Sequence, residues 1–334
     1  MYTQHYGLTD RPFQLTPDAR FWFNSRTHKK AMAYLGYGIA QGEGFIVVTG
    51  EIGAGKSTLA AHLLATIDRE RLNAVSLVST QVEGDDMLRL AAQGFGLATE
   101  GLEKAQILDR MEQLLAEEAA GGKRSLLIVD EAQSLATSAL EELRMLSNFT
   151  RQGRALLQIF LLGQPEFRDR LAEDGLEQLR QRVIATHHLD AMEPAEVEPY
   201  LVHRLTVAGW QGRPVFDASA FAAIHRHSGG IPRRVNQLAN RVLLYGALEN
   251  LDRIGAGAVD TVAADMAADR TGPRAVQPGQ GAPAGPVKDI ALERRVAQLE
   301  SRLEEQEVVL RRVLTLLVDW VETAEAPGYR SNAA

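Results

Sequence analysis

Short apolar runs alternate with amphipathic stretches along the first 190 or so residues of the chain. Short uninterrupted apolar runs are typical of strands buried on both faces, and amphipathic stretches between them are typical of the covering helices. The pattern therefore predicts an α/β fold in which helices sandwich a parallel sheet. The predicted strands are Phe45–Thr49, Ala74–Ser79, Ser125–Asp130, Leu156–Gly163 and Val183–Leu189, and the predicted helices include residues 102–119 and 138–150.

The pattern changes twice further along the chain. After about residue 192 the strand-like runs stop, and helical periodicity takes over until about residue 270. The next segment is rich in Gly, Pro and Ala and has little to bury, which is typical of a flexible linker. We therefore expect an α/β domain with an N-terminal extension over 1–192, a helical domain over 193–270 with helices at 193–209, 217–228, 232–249 and 256–268, and a linker over 271–287.

A heptad repeat of apolar residues follows the linker. Sustained heptad spacing is typical of a coiled coil, and one polar seam residue, Gln306, is placed to set its register. We predict a coiled-coil helix over 288–322 and a disordered tail over 323–334; a lone amphipathic helix packed on the globular body is the alternative. The seams contain Val296, Leu303, Leu310 and Leu317, and Leu292, Leu299, Gln306, Val313 and Trp320.

Composition and charge narrow the functional classes. The chain has 334 residues, with 36 basic and 43 acidic side chains, and its formal net charge of −7 disfavours broad attraction to nucleic acids or anionic lipids. The lack of cysteine excludes disulfides, thiolate nucleophiles and cysteine metal sites. The start of the chain lacks a signal-peptide pattern, and no apolar run is long enough to span a bilayer. We therefore expect a soluble, cytoplasmic protein.

The strongest chemical signal is a complete G-x-x-x-x-G-K-S sequence over residues 50–57, between an apolar strand and an apolar helix. Glycines let the backbone turn so that its N–H groups converge on a phosphate chain, at the positive end of the following helix. Lys56 is expected to contact the β- and γ-phosphates, and Ser57 to bind Mg²⁺. The predicted ATP contacts are Gly50, Glu51, Ile52, Gly53, Ala54, Gly55, Lys56, Ser57 and Thr58.

A second predicted strand, LLIVDE over residues 126–131, ends in two carboxylates. In P-loop ATPases an aspartate at this position holds Mg²⁺, the role we expect for Asp130. The adjacent Glu131 is placed to act as general base on the attacking water. The pair favours hydrolysis over simple nucleotide binding and disfavours a kinase; a strand followed by an acidic helix cap is the alternative.

Four further polar residues are candidates for the same site. Gln164 follows the next strand and is placed to sense the γ-phosphate, unless it is a turn amide. Arg180 or Arg182, before the last strand, is a candidate arginine finger for a neighbouring subunit, unless both are solvated helix-end residues. Arg233 follows a Gly-Gly-Ile-Pro helix entry and is placed to face the γ-phosphate, unless it only caps the helix.

Further short segments, some of which contain these residues, complete a larger pattern. They include Pro12-Phe13, Thr16-Pro17-Asp18, His28, Asp130-Glu131-Ala132-Gln133, Gly163-Gln164-Pro165-Glu166, His203-Arg204-Leu205 and Gly230-Ile231-Pro232-Arg233. In this order and spacing, over about residues 1–250, the chain resembles AAA+ ATPases of the general secretion pathway protein A (ExeA) family. It resembles more closely still the secretion ATPase associated with exosortase (PEP-CTERM) loci.

The resemblance implies an αβα nucleotide-binding domain and a helical lid, with ATP bound between subunits of an oligomer. It implies that Asp130 and Glu131 are the Walker B pair, Gln164 the sensor, Arg182 the finger and Arg233 the lid sensor. Pro12-Phe13 is a candidate for the adenine pocket or for a structural staple. Where the family continues into a membrane segment and a peptidoglycan-binding part, this chain has a linker and heptads, so we do not expect peptidoglycan binding.

The resemblance implies Mg²⁺-dependent ATP hydrolysis that powers or regulates envelope secretion or exopolysaccharide export linked to an exosortase-type system. The expected partners are further copies of the chain and, through the coiled coil, inner-membrane secretion or polysaccharide-export components, which would place it peripherally at that membrane. A nucleic-acid-linked AAA+ ATPase, of the transposition-helper or origin-binding type, is one alternative, which the net charge disfavours. An ATP-switched scaffold protein is the other.

Overall fold

The computed structural model describes residues 2–41, 44–78 and 82–271. The strands are β1 (Phe45–Gly50), β2 (Leu72–Val78), β3 (Arg124–Asp130), β4 (Thr150–Arg151), β5 (Arg154–Ala155), β6 (Leu157–Gly163), β7 (Val183–Leu189), β8 (Val215–Phe216) and β9 (Arg253–Ile254). The α-helices are α1 (Tyr2–His5), α2 (Arg26–Gln41), α3 (Lys56–Thr66), α4 (Gly84–Gly94), α5 (Lys104–Ala120), α6 (Thr137–Leu146), α7 (Glu166–Leu171), α8 (Glu177–Arg180), α9 (Pro194–Val207), α10 (Ala218–Ser228), α11 (Pro232–Leu248) and α12 (Ala256–Thr271).

The main sheet contains five strands in the order β2-β3-β6-β1-β7. Every neighbouring pair in it is parallel, so the carboxyl ends of all five strands meet at one edge. The predicted α/β fold is confirmed, and each strand begins and ends within two residues of its predicted bounds. This edge is where ligands bind in parallel α/β sheets.

Helices cover both faces of the sheet, and the central strands β1, β3 and β6 are almost entirely buried, which explains their continuous apolar runs. Successive residues of a strand point to opposite faces, and Phe45 and Val47 pack into one apolar cluster while Ile46 and Val48 pack into another. Helices α4, α5 and α6 cover the first face, and α2 and α3 cover the second. The edge strands β2 and β7, by contrast, contain exposed and polar residues.

Helices α9 to α12 surround a third apolar cluster, which forms the lid. Tyr6 and Phe13 from the N-terminal segment are part of that cluster, so this segment packs with the lid helices. Glu193 and Glu196 form a capping box at the start of α9, and Pro232 occupies the first turn of α11. These local signals explain why both helices begin where they do.

The structure corrects the sequence prediction in two places. The helix predicted over 138–150 ends at Leu146, and β4 and β5 then form a hairpin whose turn residues, Gln152 and Gly153, have φ angles of 52° and 76°. Strands also do not stop at residue 192, because β8 and β9 pair in parallel inside the lid. Two-residue strands are too short to leave a periodic signal in the sequence.

The topology brings the predicted site residues to one edge of the sheet. The P-loop follows β1, Asp130 ends β3 and Gln164 follows β6. Among the described residues, no helix has the length and apolar character required to cross a membrane. The segment from residue 272 onwards, with the predicted linker, coiled coil and tail, lies outside the described residues.

Candidate active site

The loop over residues 50–57 turns tightly between β1 and α3. Gly53 and Gly55 have φ angles of 87° and 104°, a region of backbone conformation that residues with a Cβ rarely adopt. Gly55 is also the N-cap of α3, which begins at Lys56. Unpaired N–H groups at the start of a helix, together with those of a tight glycine loop, make a site for an anion.

Lys56 lies buried beneath this loop, with 6% of its surface exposed. Its Nζ donates hydrogen bonds to the carbonyl oxygens of Gly50 at 2.7 Å and Glu51 at 3.2 Å. Burial lowers the pKa of Lys56, and the carboxylates of Glu131 and Asp130 oppose that shift by stabilising the ammonium. The loop therefore holds a partly desolvated cation where a phosphate chain would lie.

Ser57 and Asp130 meet next to this cation. The Ser57 Oγ donates to Oδ2 of Asp130 at 2.6 Å, and the backbone N–H of Glu131 donates to Oδ1 of Asp130 at 2.9 Å. Hydroxyl and carboxylate oxygens are ligands that Mg²⁺ prefers, usually together with phosphate oxygens and water. The pair therefore fits a Mg²⁺ site built from α3 and β3.

Glu131 lies beside this pair in a left-handed backbone conformation, with φ 56° and ψ 39°. Its Oε2 accepts hydrogen bonds from Nε2 of Gln133 at 2.5 Å and from Nε2 of Gln164 at 3.3 Å. The backbone N–H of Gln164 donates to Oε1 of Gln133 at 2.9 Å. The predicted base and the predicted sensor are thus in direct contact, and Gln133, to which sequence reasoning gave no role, also bridges them. Its position two residues after Glu131 was the available signal.

The lid contacts the P-loop directly. The backbone N–H of Arg233 donates to the carbonyl of Gly53 at 3.1 Å. A Cβ atom on Gly53 would lie 2.2 Å from the Cβ of Arg233, so the contact also requires glycine there. The structure therefore brings Arg233, the predicted lid sensor, to the phosphate end of the site.

A cavity of about 270 Å³ extends from the P-loop between the lid and the N-terminal segment. Lys56, Ser57 and Glu131 line it at the polar end. The other end is rich in aromatic side chains, a surface suited to a planar base. The aromatic residues there are Phe21, Trp22, Phe23 and Tyr200.

Phe13 is a candidate for the adenine pocket or for a structural staple. It packs in the apolar cluster of the lid with 2% of its surface exposed, which fits the structural staple. The segment around it is tied to the lid by the buried Arg204. Its Nε donates to the carbonyl of Pro12 at 2.6 Å and its Nη2 to that of Gln14 at 3.3 Å, while the guanidinium lies 4.7 Å from the ring centroid of Phe21. Carbonyls and an aromatic face compensate the buried cation.

His28 supports the P-loop from the other side. A Cβ atom on Gly55 would lie 2.7 Å from Nε2 of His28, and Nδ1 of His28 lies 2.6 Å from the Ser25 hydroxyl. Burial lowers the pKa of His28 to about 4, and the Glu196 carboxylate and the Gly55 backbone only partly oppose the shift. The ring is therefore neutral near pH 7. Sequence reasoning noted His28 but assigned it no part in the site.

Arg182 and Arg180 lie away from the cavity of their own chain. The carbonyl of Arg182 accepts from the backbone N–H of Phe45 at 2.8 Å, at the amino end of β1, whereas the P-loop follows the carboxyl end. At about 3.3 Å a residue, the length of β1 separates Arg182 from the P-loop of its own chain by about 16 Å. The Arg182 guanidinium donates to Ser147, and that of Arg180 to the carbonyl of Ala172.

A parallel sheet with a P-loop after its first strand, a Ser57–Asp130 pair and a helical lid resting on the loop together define a P-loop ATPase. A family model described as an AAA domain matches residues 39–171. The chain is therefore an AAA ATPase with a P-loop.

Within that class, the chain is 36% identical over 271 residues to general secretion pathway protein A of Aeromonas hydrophila. The match takes in 81% of this chain and 49% of that protein, so the chain spans about half the length of the relative it matches. It is thus an AAA ATPase similar to general secretion pathway protein A.

Solved structures share the fold at low sequence identity. The ADP form of the Aeropyrum pernix ORC2 protein matches with a TM-score of 0.58 and 17% identity, over 77% of this chain and 73% of that one. A chain of Drosophila ORC bound to DNA matches with a TM-score of 0.55 and 17% identity, over 80% of this chain and 65% of that one. At this identity the likeness concerns the fold alone.

Proposed function

We propose that this chain hydrolyses ATP, with Mg²⁺, to power or regulate secretion through the cell envelope. The observation that carries the proposal is the 36% identity to a general secretion pathway protein over 271 residues, a stretch longer than the AAA domain model covers. The resemblance to ATPases of exosortase loci narrows the proposed process to export of exopolysaccharide or envelope material. The identity of the exported material is likewise a proposal, because the match covers only 49% of the relative's length.

The side chains at the carboxyl edge of the sheet divide the chemistry of hydrolysis between them. Lys56 and the P-loop N–H groups hold the phosphates, while Ser57 and Asp130 would hold Mg²⁺. When bound, Mg²⁺ supplies positive charge that offsets the charge on the phosphate oxygens. Glu131 takes the proton of the attacking water, and the Gln164 amide beside it senses the γ-phosphate.

The positions of the arginines support a site completed by a second copy of the chain. Arg233 contacts the P-loop of its own chain, whereas Arg182 lies at the opposite edge of the sheet. Because about 16 Å of strand separates Arg182 from its own P-loop, it can act as an arginine finger only in a neighbouring subunit. We therefore propose a homo-oligomer, in which the predicted coiled coil over 288–322 recruits inner-membrane export components.

A pull-down from native cells tests the pathway. The bait is the Glu131→Gln variant, which is expected to bind ATP and to stall before hydrolysis. It is compared with the same variant lacking residues 288–334, and with Lys56→Ala as a control bait that cannot hold ATP. We expect the full-length bait to recover inner-membrane secretion or polysaccharide-export proteins, and both comparison baits to lose them.

The other outcomes separate the parts of the proposal. Recovery of DNA together with replication or transposition proteins would replace the secretion role and leave the ATPase chemistry intact. Equal recovery by the shortened bait would remove the adaptor role of residues 288–334. Tight ATP binding with no measurable turnover in the wild-type protein would favour an ATP-switched scaffold.

A further inference from the structure

Gln133 links the two residues to which hydrolysis is assigned. Its amide nitrogen donates to the Glu131 carboxylate at 2.5 Å, and its amide oxygen accepts from the backbone N–H of Gln164 at 2.9 Å. One side chain thus joins the end of β3 to the end of β6. Because donor and acceptor are both used, the orientation of this amide is determined by its partners.

The backbone of Gln133 is itself held in place. The guanidinium of Arg170 on α7 donates to the carbonyl of Gln133 at 3.2 Å and to that of Leu135 at 2.5 Å. It also donates to the hydroxyl of Thr137 at 3.2 Å. The turn after β3 is therefore anchored to α7 on one side, while its Gln133 side chain reaches back to Glu131.

Glu131 needs such support for two reasons. Its backbone is left-handed, a conformation that costs a non-glycine residue energy and persists only where the surroundings hold it. Its carboxylate also ends a flexible side chain that would otherwise sample several rotamers. Two amides bind the same oxygen, Oε2, which leaves Oε1 to accept a proton.

We propose that Gln133 is a positioning residue that holds the Glu131 carboxylate in the orientation required to take a proton from water, and ties that carboxylate to Gln164. The inference rests on the proposed role of Glu131 as the base. Gln133 itself does not line the cavity beside the P-loop. Its effect is therefore expected in the rate of the chemical step and not in ATP affinity.

The test measures kcat, KM and ATP affinity for Gln133→Ala and Gln133→Met. Methionine keeps the length of the side chain and removes both hydrogen bonds, so it covers the case in which alanine disturbs the turn. Loss of a hydrogen bond to a charged group should lower kcat about 10- to 100-fold, with ATP affinity within about twofold of wild type. At pH 8 the kcat of Gln133→Glu should be lower than that of Gln133→Ala, because a second carboxylate would repel Glu131.

Gln113→Ala is the matched control. Gln113 also donates from its amide to a carboxylate, that of Asp109 at 2.8 Å, but on the exposed surface of α5. The same truncation there should leave kcat unchanged. A fall in kcat for Gln113→Ala equal to that of Gln133→Ala would show a nonspecific effect and overturn the proposal.

A double variant separates failure of this proposal from failure of the base assignment. If Gln133 acts through Glu131, adding Gln133→Ala to Glu131→Gln should lower turnover no further. Wild-type turnover in Glu131→Gln would refute the base, and the positioning role with it. If Glu131→Gln loses turnover while Gln133→Ala and Gln133→Met both keep the wild-type kcat, the positioning role alone is refuted.

Discussion

The backbone N–H of Arg233 donates to the carbonyl of Gly53, so the first turn of the lid helix rests on the P-loop itself. The two residues are 180 positions apart in the sequence, one in the P-loop and the other in the first turn of α11. Because the bond joins two backbone groups, it depends on the conformation of the loop and on the orientation of the lid together. We therefore expect phosphate binding to the loop to be coupled to the position of the lid.

Gly53→Ala should weaken ATP binding by about tenfold or more. A Cβ at this position would lie 2.2 Å from the Cβ of Arg233, and the positive φ of 87° adds strain of about 1 kcal/mol. The lid would have to move away from the loop. Isothermal titration calorimetry with ATP measures the loss.

Gly96→Ala is the control for Gly53→Ala. Gly96 has a φ angle of 89°, but a Cβ there would meet nothing within 4 Å. It should lower the unfolding free energy by about 1 kcal/mol and leave ATP affinity unchanged. Equal ATP affinity of the two variants would contradict the coupling between Gly53 and the lid.

Lys56→Ala should abolish ATP binding, because it removes the buried cation that we propose neutralises the phosphates. Lys29→Ala is the control, because Lys29 is an exposed lysine on α2. This variant should bind ATP as tightly as the wild-type protein. Fluorescence of a labelled ATP analogue reports both affinities. Retained binding in Lys56→Ala would show that this P-loop does not hold the nucleotide.

Arg182→Ala should bind ATP normally but lose turnover by about 1,000-fold, the scale typical of a missing arginine finger. Arg180→Ala is the control and should retain most activity, since the family resemblance assigns the finger to Arg182 and not to Arg180. Steady-state ATPase assays with a parallel binding measurement distinguish the two. The opposite result would transfer the finger role to Arg180.

Mixing two inactive variants tests whether Arg182 acts between subunits. In mixed oligomers, the intact P-loop of an Arg182→Ala subunit can face the intact Arg182 of a Lys56→Ala subunit. Partial recovery of ATPase activity on mixing is therefore expected. No recovery, in mixtures shown by cross-linking to contain both chains, would contradict action between subunits.

His28 should make the folded protein less stable as the pH falls from about 6.5 to about 4. Burial lowers its pKa from 6.5 to about 4 in the folded state, so the unfolded chain takes up the proton first as the pH falls. The loss should reach about 3 kcal/mol near pH 4 and then level off. Urea unfolding over this pH range measures it.

His28→Gln isolates this contribution, because all other groups titrate alike in both proteins. The variant should be less stable at pH 7, where it lacks the ring that packs against the P-loop. The difference in unfolding free energy should shrink as the pH falls towards 4. Parallel pH profiles for the two proteins would show that His28 is not held neutral by burial.

The sheet could be predicted from the sequence because its cause is local. A strand buried on both faces is mostly apolar, so residues 126–129 and 159–162 show their structure directly. The P-loop is recognisable for a similar reason, since its glycines and lysine act within eight consecutive residues. By contrast, β8 and β9 are two residues long and form only because they pair across the lid.

Residue identities alone indicated an ATP site, its P-loop, and the carboxylates at the end of β3. Packing decided which distant side chains meet there: Gln133 between Glu131 and Gln164, and Arg233 on Gly53. Packing likewise decided that Phe13 is buried among the lid helices and that Phe21 lines the cavity. The physical reason is that an apolar period or a glycine loop constrains its own backbone, whereas contacts between distant segments depend on how complete elements pack against one another.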